Sequence, residues 1–144
     1  MNESLLKSSK FDRVLAATVA GTGDTLSGSI LDLQDCDSVI GIAILGDVTD
    51  TAVITLKAYT GNNSALSDGT YETETATVTA TATSADSKML ILDIVKPGKR
   101  YCRFDIIRAT ANAVVDGAVG VRYNFRTIPT AQSSNVVGSN IGIN

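Results

Sequence analysis

The chain contains no histidine and no tryptophan, and only 5% of its 144 residues are aromatic. Without histidine, it cannot form a Ser-His-Asp triad, a Cys-His pair or a histidine-containing zinc site. Lectins commonly rely on an aromatic platform or a bound cation, so the scarcity of aromatic side chains argues weakly against glycan binding. These absences remove the commonest catalytic sites and favour a binding or structural role.

Charged residues are also scarce. They make up 19% of the chain, whereas about 25% is typical of soluble domains. We interpret this deficit as surface that partner chains cover. The net charge is −3, so the chain lacks the basic excess with which proteins bind a phosphate backbone. We therefore expect no nucleic-acid partner.

The chain has two cysteines, Cys36 and Cys102, far apart in sequence. We expect each to pack as a small apolar side chain, although the sequence leaves a disulfide between them open. No run approaches the roughly 20 apolar residues of a membrane-spanning helix, and residues 1–10 lack the apolar core of a secretory signal. We expect no membrane association, and synthesis in a reducing cytoplasm.

A period of two dominates the remaining pattern. Threonines occupy every second position from Thr73 to Thr83, and after Glu74 the positions between them hold Ala76, Val78, Ala80 and Ala82. Side chains alternate across a strand, so this pattern predicts a strand with a threonine row on one face and small apolar groups on the other.

Similar alternation or short apolar runs predict further strands at 11–19, 26–33, 39–45, 51–59, 88–95, 100–108 and 117–127. The segment 39–45, VIGIAIL, is apolar on both faces, which indicates a central strand. Eight short strands with turn signals between them predict an all-β fold, an antiparallel β-sandwich of the jelly-roll kind. We divide the chain into an N-terminal arm (1–10), a sandwich (11–128) and a C-terminal arm (129–144).

The C-terminal arm has no charged side chain but carries four apolar ones: Val136, Val137, Ile141 and Ile143. It is either a frayed terminus or an arm that becomes ordered on a neighbouring subunit. In the second case these four residues are its anchors.

Five arginines are concentrated in the last two predicted strands, and Arg122 and Arg126 share a predicted strand face. They are either a solvated surface or interfacial arginines that meet an acidic partner. We include Arg122 and Arg126 among the candidate partner-binding residues.

The sequence has two acidic clusters of the kind that can bind metal ions or act in acid–base catalysis. The segment DLQDCD at 32–37 lacks the glycine and distant glutamate of an EF-hand, so we interpret it as a turn between strands. Glu72 and Glu74 lie two residues apart on one predicted strand, and no pattern nearby would separate their pKa values for acid–base catalysis. We predict no catalytic residue, no metal site and no cofactor.

Four segments within 26–132 form a recognisable set: an apolar strand that ends at Gly46, a T-A-V strand with Lys57, the segment LDIVKPGKRY at 92–101 and the hairpin ANAVVDG at 111–117. Together they resemble small virion proteins of tailed bacteriophages. The resemblance implies a head decoration, or cement, protein, a class that has no catalytic residues.

This resemblance implies a protein on the capsid surface of the virion, made in the host bacterial cytoplasm. Its partner would be the major capsid protein, whose neighbouring subunits it bridges. A dimer or trimer is expected, because symmetric positions on a shell match symmetric proteins. Two alternatives stay open: a structural component of the phage tail or neck, and a lectin-like sandwich that binds glycans.

Overall fold

The computed structural model describes residues 4–142. One short helix precedes nine strands: α1 (Leu5–Ser8), β1 (Lys10–Leu15), β2 (Asp24–Ser27), β3 (Leu31–Asp32), β4 (Cys36–Val48), β5 (Val53–Gly61), β6 (Thr70–Thr79), β7 (Met89–Val95), β8 (Tyr101–Ala109) and β9 (Ala113–Phe125).

The strands form two antiparallel sheets. The first has the order β1-β9-β4-β7, and the second has the order β2-β8-β5-β6, with β3 pairing β8 beyond β2. When β2 and β3 are counted as one interrupted strand, each sheet has four strands, and every connection crosses between the sheets except the β5–β6 hairpin, as in a jelly roll. The predicted all-β sandwich is confirmed, and β4 is a central strand as predicted.

The core lies between the sheets and consists of the inward side chains of both. Its largest fully buried members are Phe104, Leu45, Ile54, Leu56 and Ile106. The alternation predicted for 100–108 is confirmed, because Cys102, Phe104 and Ile106 all point into this core.

Two predicted strands end earlier than expected. The threonine strand ends at Thr79 instead of Thr83, because the chain turns at Ala82, whose φ is +51°. The backbone N–H of Ala82 donates to the Asp50 carboxylate instead of a neighbouring strand. The first strand ends at Leu15 instead of Val19. Residues 81–83 and 16–19 therefore lie outside the strand ladders, although the Thr18 N–H still donates to the Val115 carbonyl of β9.

The segment predicted as one strand at 26–33 is two short strands. Between them, the N–H of Gly28 donates to the carbonyl of Phe104, and the N–H of Ser29 donates to the carbonyl of Val14 in the other sheet. A Cβ at Gly28 would lie 2.8 Å from the Phe104 carbonyl oxygen, so a side chain does not fit at this crossing between the sheets. The interruption explains why nine strands are present where about eight were predicted.

Candidate functional site

The outer face of the first sheet is apolar. Inward residues of β4 such as Val39, Ala43 and Leu45 belong to the core, so the isoleucines between them point outward. Cross-strand pairing places Ile42 beside Val119 and Ile91. The outward apolar side chains, which we call the apolar face, are Phe11, Ile40, Ile42, Ile44, Met89, Ile91, Val95, Val119 and Val121.

The apolar face is open along β7. Met89, Ile91 and Val95 are 58%, 55% and 60% exposed, and Ile44 on the neighbouring strand is 38% exposed. Four strands about 4.8 Å apart, with three rows of outward residues about 6.7 Å apart, give a face of roughly 400 Å². Contiguous apolar patches of this size on a single chain are often functional.

Few polar groups interrupt the apolar face. The Tyr123 hydroxyl donates to the Asp93 carboxylate at 2.6 Å, so these two polar groups satisfy one another. Partial burial, and then the Asp93 hydrogen bond, raises the pKa of Tyr123. Arg13 is exposed next to Val119. The face therefore offers mainly apolar contact, which Asp93 interrupts between Ile91 and Val95 and Arg13 borders on β1.

The outer face of the second sheet is polar. Thr75, Thr77 and Thr79 of β6 point outward, as the alternation predicted, and the Thr77 hydroxyl donates to the Thr55 hydroxyl at 3.1 Å. We call this surface the threonine face.

A buried carboxylate lies within the threonine face. Asp105 has no exposed surface, and Arg103 donates to both of its oxygens at 2.7 and 2.8 Å. The Tyr71 hydroxyl donates to the same carboxylate at 2.8 Å. The Arg103 guanidinium also lies 4.8 Å from the Tyr59 ring centroid, and Tyr59 packs edge-on against Tyr71. These groups satisfy one another, and no buried side-chain nitrogen or oxygen in residues 4–142 lacks a hydrogen-bond partner.

All five arginines noted in the sequence form ion pairs with aspartates of the same chain. The pairs are Arg100–Asp32, Arg103–Asp105, Arg108–Asp24, Arg122–Asp12 and Arg126–Asp37. Arg108 is almost completely buried and also donates to the carbonyls of Val19 and Ala113. The sequence pattern showed the arginines but not these partners, most of which are distant in sequence.

The two candidate arginines lie in different surroundings. Arg122 points inward at the end of the sandwich, where it donates to Asp12 at 2.7 Å and to the Asp32 carbonyl at 2.9 Å. Arg126 is exposed, with a longer contact of 3.4 Å to Asp37. They do not form one arginine surface, because Asn124 between them has a φ of +57° and the strand alternation stops there.

The C-terminal segment lies against the free edge of β1. The side-chain oxygen of Gln132 accepts from the Phe11 N–H at 2.9 Å, and its amide nitrogen donates to the carbonyls of Leu6 and Ser9 at 2.8 Å. Asn135 accepts from the Arg13 N–H at 3.2 Å and donates to the Arg13 carbonyl at 3.1 Å.

We call Gln132 and Asn135 the amide clamp. They occupy β1 backbone groups that point away from β9, and unpaired groups of this kind attract another strand. Sequence analysis missed both residues, because a Gln-x-x-Asn spacing in a polar tail has no recognised signature.

The predicted anchors of the C-terminal arm have different exposures. Val136 is half-buried, Val137 is fully exposed and Ile141 is 38% exposed. Ile143 lies outside the described residues. None of the described residues of this arm is buried. Their role in partner binding stays a prediction.

Cys36 and Cys102 are both buried and both carry free thiols. Burial raises the pKa of Cys36 to about 11 and that of Cys102 to about 12. Neither thiol is therefore activated as a nucleophile at neutral pH.

Residues 4–142 contain no group of three or more acidic or cysteine side chains arranged to hold a metal ion. No helix in this part of the chain is long and apolar enough to cross a membrane.

Comparison with solved structures shows the same fold in larger viral chains. The chain is similar to a structure of infectious bursal disease virus, Gt strain, with a TM-score of 0.55, 13% identity, and coverage of 82% of this chain and 33% of that one. The Gx strain gives a TM-score of 0.55, 14% identity, and coverage of 85% and 34%. The chain thus spans about a third of the length of these viral chains, and at such identity the likeness concerns the fold alone.

A Bacillus endospore appendage protein aligns over 83% of this chain and 90% of that one, with 17% identity and a TM-score of 0.46. This TM-score is too low to support an argument. No family model and no curated protein matches this sequence.

Proposed function

We propose that the protein is a structural virion protein that decorates a bacteriophage capsid and stabilises it by bridging neighbouring capsid subunits. The observation that carries this proposal is the apolar face, whose β7 side chains are more than half exposed. Water contact with such a surface is unfavourable, and covering it with another protein removes that cost.

The geometry of the apolar face suits a shell. The C-terminal segment lies along its β1 margin, so a partner that covers β7 to β1 also meets this segment. The roughly 400 Å² estimated from the strand spacing is below the about 800 Å² per partner of a standard interface. One contact of this size is weak, but repeated contacts on a symmetric shell gain strength from avidity.

The proposed partner is the major capsid protein, and the proposed location is the outer surface of the virion after synthesis in the host cytoplasm. The jelly-roll fold supports this reading because viral capsid proteins commonly use it. The fold also occurs in lectins, but here Lys57 and Arg103 lie over the rings of Tyr71 and Tyr59, respectively, so these two rings form no open platform for a sugar.

Co-sedimentation with expanded heads and with tails of the same phage tests this function. We expect saturable pelleting with heads, at a copy number that matches the symmetry sites of the shell. The variant Ile91→Lys should lose binding, whereas the matched control Thr79→Lys on the threonine face should retain it. Pelleting with tails alone would indicate a tail or neck component, and no pelleting with either would overturn a virion role.

A further inference from the structure

The C-terminal segment covers the β1 edge through contacts that any copy of the chain could supply. We propose that residues 130–135 exchange between two copies, so that the amide clamp of each copy binds the β1 edge of the other. The partner is thus a second copy of this chain, and the inference goes beyond the proposed capsid binding because it holds whatever covers the apolar face.

The segment is held mainly by hydrogen bonds, and its least exposed residues, Thr130, Gln132, Ser133 and Val136, are only half-buried. The amide clamp makes five of these bonds, and the Thr130 N–H adds one to the Lys7 carbonyl at 2.9 Å. No side chain between 129 and 142 is buried. Water can replace each of these surface hydrogen bonds, so the segment can leave the edge without disrupting the core.

The connection to the sandwich permits exchange. The last backbone hydrogen bond before the segment is donated by the Arg126 N–H to the Asp35 carbonyl. Thr127, Ile128 and Pro129 follow, and all three are exposed. Three residues reach roughly 10 Å when extended, so two copies must lie side by side with their β1 edges adjacent.

The recognition is specific to this segment. Phe11 and Arg13 present outward N–H groups two residues apart on β1. The amide clamp side chains that accept hydrogen bonds from them are three residues apart. Every copy carries both the amide clamp and the β1 edge that it binds, so two copies can exchange segments symmetrically about a two-fold axis. This is a low-cost route to a dimer, because each lost contact is replaced by an identical one.

Exchange depends on concentration. Within one chain, the segment meets the β1 edge at an effective concentration in the mM range, because the linker is short. Free protein at micromolar concentration should therefore be monomeric, and exchange should appear near 1 mM or wherever copies are held side by side.

Mixed single-cysteine variants test the proposal. One preparation carries Arg13→Cys, whose exposed side chain takes no part in the clamp, and the other carries Ser134→Cys beside Asn135. After mixing at about 1 mM, a short bis-maleimide should join them into a heterodimer. The native thiols Cys36 and Cys102 are buried and should not react.

Three controls fix the interpretation. Thr75→Cys on the distant β6 edge, mixed with Ser134→Cys, measures joining by random collision. A chain with both Arg13→Cys and Ser134→Cys should bridge internally, which shows that the crosslinker spans the contact. Adding Gln132→Ala and Asn135→Ala to the Ser134→Cys chain should reduce heterodimer to the collision level.

A heterodimer yield several-fold above the Thr75→Cys pair, lost in the clamp variant, would support exchange. A yield equal to that pair at every concentration, with complete internal bridging of the double variant, would overturn it. A heterodimer that survives loss of the clamp would also overturn it. These outcomes need no phage particle, so they are independent of head binding.

Discussion

The two sheets of the sandwich have similar inner faces but different outer faces. Both contribute aliphatic side chains to one core, yet the first sheet shows isoleucine, valine and methionine outside, whereas the second shows threonine and a buried ion pair. Packing within one chain does not require this difference. Under the proposed function, capsid subunits cover the apolar face and the threonine face meets solvent.

The largest difference in the free energy of unfolding is expected between substitutions of Asp105 on the threonine face and Asp93 on the apolar face. Asp105→Ala leaves the Arg103 guanidinium and the Tyr71 hydroxyl without their shared partner, and breaking a buried pair in this way costs about 3–5 kcal/mol. Asp93→Ala on the apolar face removes one exposed contact and should cost less than about 1 kcal/mol. Urea unfolding of both variants measures the difference, and equal losses would refute the distinction.

The labelling rates of Cys36 in the first sheet and Cys102 in the second compare how well each sheet shields its thiol. With pKa values of about 12 for Cys102 and about 11 for Cys36, against an ordinary 9.0, native thiolate at pH 8 is lower by roughly 1000-fold and 100-fold. We expect slow labelling by a thiol reagent, with Cys36 ahead of Cys102, and rapid labelling of both in urea. Fast native labelling of Cys102 would contradict its burial beneath the threonine face.

These raised pKa values also predict an alkaline loss of stability. The folded state holds both thiol protons to higher pH than the unfolded state does. The free energy of unfolding should therefore be unaffected by the thiols below about pH 9 and fall as pH rises towards 11. Replacing both cysteines by alanine should remove this contribution, and urea unfolding at pH 8 and pH 10 measures it.

Cross-strand threonine pairs should contribute little to the free energy of unfolding. Thr77→Ala removes the hydroxyl that bonds to Thr55 and should cost about 0.2–1 kcal/mol. Thermal unfolding measures this loss. A cost above about 2 kcal/mol would mean that the threonine face is more than a solvated surface.

The smallest effect on stability is expected on the apolar face. Ile91→Lys replaces a side chain that is 55% exposed, so the free energy of unfolding should change by less than about 0.5 kcal/mol. The binding of a hydrophobic dye such as ANS should fall nonetheless. Thr79→Lys should leave dye binding unchanged. An equal reduction of dye binding in both variants would mean that the two faces do not differ in exposed apolar surface.

Strand positions were largely predictable because alternation reports burial, and the segment 39–45 already indicated a strand apolar on both sides. The apolar face itself was not recognised, because periodicity alone does not say which of two apolar rows points into the core. Val119 and Val121 lie outside, whereas Gly120 and Arg122 lie inside, opposite to what hydrophobicity suggests. The arginine partners were equally hidden, since only the folded topology brings Asp12 to Arg122.

Gly41 and Gly120 face each other directly across β4 and β9 on the inner side of the first sheet. A Cβ at Gly41 would overlap the Phe104 ring, and one at Gly120 would lie 2.7 Å from a Leu31 methyl. The Phe104 ring and the Leu31 side chain, both from the second sheet, fill the space that the absent side chains of Gly41 and Gly120 leave. Sliding one sheet along the other would bring these groups against residues that carry a Cβ, so we expect the two sheets to move as one rigid unit under a force on either outer face.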